Sequence, residues 1–350
     1  MQDDFMTFMT NDRGRRSFLE RALALLAAAG TAGAAGSAIA QPAPSFEPAR
    51  AGSTLRFFQG FKPIRVQTSQ ALINGVMGGS GPPVLLLHGW PQTHVEWHTV
   101  AGALAGRFTV VATDLRGYGD SSKPLDGSNH EGYSKRATAR DQVELMQRLG
   151  FERFAVVGHD RGGRVAHRMA LDHRERVERL AVLDIVPTYR LFTNVTKEFA
   201  TAYFHWFFLI QPAPIPEILL ANSAEAFLRG WAFRDLIPGV ISEDAFSEYL
   251  RCFKDPATMH SMCEDYRAGA SIDLEHDKAD LDRKIDCPLL ALWAGKGVMQ
   301  RLYNVTDTWR ERASNVEGKA LPGSHWLVEQ LPDEVLAELL PFLGTTAAGP

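Results

Sequence analysis

Val156-Val157-Gly158-His159-Asp160-Arg161-Gly162-Gly163-Arg164 is the stretch on which the fold turns. A short apolar run enters Gly-x-Asp-x-Gly and leaves at once into a segment of helical spacing, Arg164 to Asp172. Only a tight turn between a buried strand and a helix fits so few residues, and the glycines let backbone approach the residue between them. The same reading allows an ordinary strand-to-helix turn with Asp160 as a cap. What surrounds the stretch narrows the choice. His88-Gly89-Trp90-Pro91 follows one apolar run, Asp114-Leu115-Arg116-Gly117-Tyr118-Gly119 follows the next, and Gly323-Ser324-His325 lies near the end of the chain.

Further out, 83–87, 108–113, 154–157, 180–183 and 288–293 are continuous apolar runs bounded by Gly, Asp or Pro. Such runs suit strands buried on both faces of a parallel sheet. Helical spacing between them, as in 136–149, predicts an α/β, doubly wound core. From about Thr188 the rhythm breaks into aromatic and Pro-rich sequence, Tyr203-Phe204-His205-Trp206-Phe207-Phe208 and Pro212 to Pro216. The expected organisation is a core in two parts, 53–187 and 273–344, with a helical cap at 188–272, a linker at 41–52 and a tail at 345–350.

The 37 Lys and Arg against 41 Asp and Glu leave no global field to draw the chain onto nucleic acid or an anionic membrane, so recognition is local and the partner is a small molecule. Three cysteines, Cys252, Cys263 and Cys287, lack the spacing of a zinc site, and no metal or cofactor is expected. They read as reduced thiols, with a Cys252–Cys263 disulfide left open by an oxidising compartment.

An Asp nucleophile is ionised at neutral pH and needs no base to attack an sp³ carbon. The alkyl ester so formed on Asp160 must be hydrolysed, and His325 is the candidate base for that water. His325 needs an acid to fix its tautomer. Asp184 in Leu183-Asp184-Ile185, at the end of the run at 180–183, is available. Asp114 reads as a loop brace and His88 as structural. Arg161 and Arg164, three apart on one helix face beside the nucleophile, suit a carboxylate on the substrate. Arg168, one turn on, reads as a solvated arginine.

These motifs, in this chain order, resemble the α/β-hydrolase fold with Asp in place of Ser at the nucleophile elbow. Over about 57–342 the chain is most similar to the haloacetate (fluoroacetate) dehalogenases, in the branch that also holds the epoxide hydrolases. The resemblance implies a mostly parallel sheet with an inserted helical cap, and oxyanion donors at the backbone amides of Trp90 and Arg161. It implies that His205, Trp206 and Tyr266 donate to a departing halide, and that Asp160, His325 and Asp184 form the triad, since many relatives carry the acid after the run at 288–293, where Ala294-Gly295-Lys296-Gly297-Val298 has none, and the haloacetate dehalogenases carry it after the preceding run. Hydrolysis of a small 2-haloacid to the 2-hydroxyacid is the leading expectation. Epoxide hydrolysis, with Tyr266 and Tyr203 as cap tyrosines, is the rival, and a non-catalytic small-molecule binding protein on the same fold is the alternative of another kind. A homodimer is compatible with this reading.

The first 40 residues read as an address. Arg15-Arg16-Ser17-Phe18-Leu19 precedes an uncharged Ala, Gly and Leu stretch that closes with Ala38-Ile39-Ala40. This resembles a twin-arginine signal peptide, and implies the twin-arginine export machinery as a partner, a periplasmic location and no membrane span after cleavage. An N-terminal anchor is the competing reading, and the acids Asp3, Asp4 and Asp12 leave Met6 or Met9 as alternative starts. Mass spectrometry of periplasmic protein is expected to find a mature start near Gln41; an intact N-terminus in the cytosol rejects export.

Overall fold

The computed structural model describes residues 54–344, so the expected export segment, linker and tail lie outside the described residues. Eight strands form one sheet in the order β1-β2-β4-β3-β5-β6-β7-β8. The five apolar runs become β3 (Pro83–Leu87), β4 (Thr109–Thr113), β5 (Phe154–His159), β6 (Val177–Leu183) and β7 (Leu289–Ala294). All five pair in parallel and are nearly buried throughout, because helices cover both faces.

Three strands carry no such run. β1 (Lys62–Gln67) and β8 (Val316–Leu321) are the sheet edges and are largely exposed, while β2 (Leu72–Gly78) joins β1 to β4 through antiparallel pairings. β8 extends the parallel set against β7. Edge strands need apolar side chains on one face at most, so their sequences do not stand out.

Strand order reverses around β3, with β4 on one side of it and β5 on the other. A crevice opens at such a switch point, beyond the carboxyl ends of the strands. Register fixes what stands there. Leu87 pairs with Gly158, His159 with Leu183, and Leu183 with Leu292, so the segments after β3, β5, β6 and β7 leave the sheet at one level.

Between β6 and β7 the chain makes eight helices, from Thr188–Thr193 to Ile272–Ala279. Two are set by strong start signals. Ser242 accepts the Ala245 N–H ahead of Glu243–Phe253, and Asp255 accepts from Ala257 and Thr258 ahead of Pro256–Gly269, which opens on proline. A π turn at Leu228–Ala232 carries Trp231. Among the described residues no helix is long and apolar enough to cross a membrane.

β5 passes directly into the helix Asp160–Asp172. A Cβ on Gly158 would sit 2.5 Å from the Gly162 carbonyl oxygen, and one on Gly162 would overlap the Leu87 carbonyl and lie 2.6 Å from that of His88. The turn is therefore pressed against β3 with no room for a methyl group. Gly162→Ala is expected to lower stability by about 1–3 kcal/mol, read as a lower urea midpoint, because the obstructing atoms are backbone. An unchanged midpoint would mean the turn has slack.

Candidate active site

Asp160 adopts φ 42°, a left-handed backbone that few side chains tolerate, and so stands out from the end of β5. Its Oδ1 accepts the Trp90 N–H at 3.2 Å. Burial pushes the Asp160 carboxyl up, but His325, Arg164, Arg161 and His159 together outweigh it and hold the group below its ordinary value. A buried, ionised carboxylate results.

Asp184 also has positive φ, 51°, directly after β6. Its Oδ2 accepts from His325 Nδ1 at 2.6 Å, and its Oδ1 accepts the Ala294 N–H at 2.9 Å. The last residue of β7 thus supplies a backbone donor that braces the acid after β6, while the segment that follows it lacks an acid. With Nδ1–H committed to Asp184, His325 keeps Nε2 as an acceptor. Asp160, Asp184, His325, Trp90 and His205 line one cavity of about 280 Å³.

The two arginines expected to act as a pair are divided by their partners. Arg161 Nε donates to Asp265 Oδ2 at 2.5 Å and Nη2 to the Asp265 carbonyl at 2.7 Å, and Lys135 pairs with the same carboxylate. Burial works against the Arg161 charge, yet Asp265 outweighs it and raises its pKa. Arg164 meets only neutral acceptors, the Val186 carbonyl at 3.1 Å and Thr188 Oγ1 at 3.0 Å, and its Nε has no partner. Burial, and Arg161 beside it, depress its pKa despite the pull of Asp160. Arg164 is therefore the guanidinium with charge and a donor to spare.

His205, Trp206 and Tyr266 converge from two cap helices, Phe204–Leu209 and Pro256–Gly269. Their ring centroids lie 5.9 Å (His205 to Tyr266) and 6.0 Å (Trp206 to Tyr266) apart, and Trp90 stacks on His205 at 5.2 Å. Trp90 Nε1, His205 Nδ1, Trp206 Nε1 and the Tyr266 hydroxyl are buried without hydrogen-bond partners. Buried donors ordinarily find partners, so the two indole N–H groups and the phenol, with an imidazole nitrogen that donates in one tautomer, form a grouping suited to an anion or acceptor. Burial lowers His205 to about 3, which keeps its ring neutral, and raises Tyr266 well above 10, which keeps its proton on.

Some residues at the site carry no motif. Trp231, Trp326, Lys296 and Arg301 line the cavity beside Tyr203, and Asp265 sets the arginines apart; its one signal is an acid next to Tyr266. Arg168 is not solvated: it is 2% exposed and pairs with Asp172, Asp277 and Asp280, acids whose convergence needs the fold. Cys252, Cys263 and Cys287 are free thiols. Asp114 accepts from His94 and Asn74, and His88 Nε2 accepts the Leu115 N–H, as braces do. Asp126, His260 and Glu264 come within 4.8 Å of one another, away from this cavity, but Arg267 already donates to Glu264.

A family described as "alpha/beta hydrolase fold" matches residues 82–330. The chain belongs to the α/β-hydrolase fold family. A fluoroacetate dehalogenase from Burkholderia sp is 47% identical over 294 residues, covering 83% of this chain and 97% of the relative. A soluble epoxide hydrolase from Corynebacterium sp. (strain C12) is 37% identical over 283 residues, 78% of this chain and 96% of that one. A crystal structure from Nostoc sp PCC 7120, described as a candidate alpha/beta hydrolase, superposes with a TM-score of 0.80 at 53% identity, covering 83% of this chain and all of the other.

Asp265→Asn leaves Arg161 without its buried counter-charge and Lys135 with Asp273 alone, and is expected to cost about 3–5 kcal/mol in denaturant unfolding at neutral pH. Asp265 is held far below the ordinary carboxylate range by Arg161 and Lys135 in spite of burial. Its contribution is thus complete above about pH 4 and is lost as the pH falls, so wild type and variant should converge in acid. A gap independent of pH would remove the ion pair as its cause.

Proposed function

We propose that the protein hydrolyses a small 2-haloacid to the 2-hydroxyacid through an ester on Asp160, without cofactor or metal. The observation that carries this reading is the set of unpartnered buried donors on His205, Trp206 and Tyr266, together with the half-satisfied Arg164, around an ionised carboxylate. Asp160 attacks the carbon bearing the halogen, the carbon–halogen bond breaks, and halide leaves with the bonding pair into the donors. Arg164 binds the substrate carboxylate, with Arg161, tied to Asp265, as the weaker half of the clamp. His325 then takes a proton from water as it attacks the ester carbonyl. The Trp90 and Arg161 amides receive the oxyanion, Asp184 stabilises the imidazolium, and Asp160 is released with the hydroxyacid and a proton. The Burkholderia relative's name supports the substrate class.

Epoxide hydrolysis is the second reading, favoured by one observation: Tyr203 lines the cavity and stacks on His205 at 5.6 Å, so it and Tyr266 both flank that ring. The corynebacterial relative's name points the same way. The twin-arginine motif supports action in the periplasm, with the signal removed near Ala40.

His325→Ala is expected to react once and stall. Exposed to chloroacetate or fluoroacetate it should release about one halide per site and leave a carboxymethyl group on the peptide containing Asp160. Styrene oxide tested in parallel separates the two readings, since a glycol-forming wild type silent on haloacids makes the epoxide reading correct. Repeated turnover without an adduct would remove Asp160 as nucleophile.

A further inference from the structure

Behind the triad lies a cluster of titratable groups that the reaction does not use. His159, the residue before the nucleophile, is fully buried, and its Nε2 lies 2.9 Å from the carbonyl oxygen of His325. On its other side, Nδ1 is 2.9 Å from Glu96 Oε1, an ion-pair contact whose angle falls outside hydrogen-bond geometry. Glu96 Oε2 accepts the Gly89 N–H at 2.8 Å. Gly89 precedes Trp90, whose amide reaches Asp160, and a Cβ on Gly89 would lie 2.8 Å from His159 Nδ1. One imidazole and one carboxylate thus connect the loop that supplies the Trp90 amide to the loop that supplies the base, passing beneath the nucleophile.

We propose that Glu96 and His159 are positioning residues, a buried ion pair that holds the Trp90 amide and His325 in register for hydrolysis of the Asp160 ester. This rests on the two-step reading above. Neither residue touches the site cavity, so each acts through what it holds. Both ring nitrogens of His159 face acceptors, which only an imidazolium satisfies together. Burial disfavours that charge, but Glu96, Asp160 and Asp184 outweigh it and raise His159 to about 9. The other groups facing it are His325, at 4.7 Å between ring centroids, and Glu329, which burial and Glu96 push up to about 8. Glu329 accepts from Gln92 of the same loop and from Tyr249 of the cap, which keeps the second carboxyl on separate partners.

The two steps make different demands. Attack by Asp160 needs no base, whereas ester hydrolysis needs base and oxyanion donors placed together. Glu96→Gln, mixed with excess haloacetate in a single-turnover experiment, should form the ester within about 3-fold of the wild-type rate and hydrolyse it roughly 10- to 100-fold more slowly, so the adduct accumulates. Glu96→Asp should restore part of the second rate. In wild type the hydrolytic step should fall as pH rises past about 9, where His159 loses its proton, and that break should move to lower pH in Glu96→Gln. Equal slowing of both steps, or no change in either, overturns the proposal. If the variant does not fold, the wild-type profile decides, because a hydrolytic step flat to pH 10 is incompatible with the charged pair. Wild type that forms no ester at all fails the two-step reading instead, and the same experiment reveals it.

Discussion

A carboxylate removed from water keeps its charge only where other groups replace the lost solvation, and the structure around Asp160 follows from that requirement. Burial alone would neutralise it. Four cationic or potentially cationic side chains, on three segments, reverse the effect. Each must then be stopped from collapsing onto the nucleophile. His325 is held by Asp184, Arg161 by Asp265, His159 by Glu96 and Arg164 by neutral carbonyl and hydroxyl oxygens. The strained φ of Asp160 and the crowded glycines beside it are the backbone side of the same constraint, since only that turn brings one carboxylate within reach of all four.

The division of labour between the arginines follows from counting charges. Two free guanidinium ions beside one carboxylate would leave a net positive charge in a dry pocket, which is costly. Asp265 removes one of them from the balance, with Lys135 drawn in as a further partner. What remains is one carboxylate and one arginine, close to neutral, and the carboxylate of the proposed substrate would restore a charge for Arg164 to answer. The spare Nε of Arg164 and its stacking on Trp206 at 4.6 Å place it beside one of the donors proposed to receive halide.

How much of this the sequence showed depended on whether a residue's partner lies nearby in the chain. The central strands and the elbow were legible because continuous apolar runs and glycine spacing are local signals. His325 followed from its loop, and Asp184 from the missing acid at 294–298, a shift from the end of one strand to that of its neighbour that register then explains. β1, β2 and β8 were not legible, since exposed or half-exposed strands lack a run. The unequal arginines were missed because Asp265 lies 104 residues from Arg161. Arg168 was misread for the same reason, its acids lying as far as Asp280. Glu96 carried no signal at all, because a single Glu in His94-Val95-Glu96-Trp97 looks like any helix-start acid until His159 packs against it.

The same pocket can be weighed for its two candidate reactions by what the leaving group needs. A departing halide is a finished anion that wants donors and no proton, and an indole N–H and a neutral imidazole N–H supply donors that do not transfer at neutral pH. An epoxide oxygen leaves as an alkoxide still tethered to the substrate, and is discharged by a group that gives up its proton. Tyr266 can do this; Trp206 and Trp90 cannot. With Tyr203 joined to the set, two phenols and two indoles stand around one imidazole, so the hydroxyls alone do not choose. Arg164 weighs toward the proposed haloacid, because an epoxide has no carboxylate to occupy a buried cation whose Nε lacks a partner, and a haloacid has one on the carbon next to the bond that breaks.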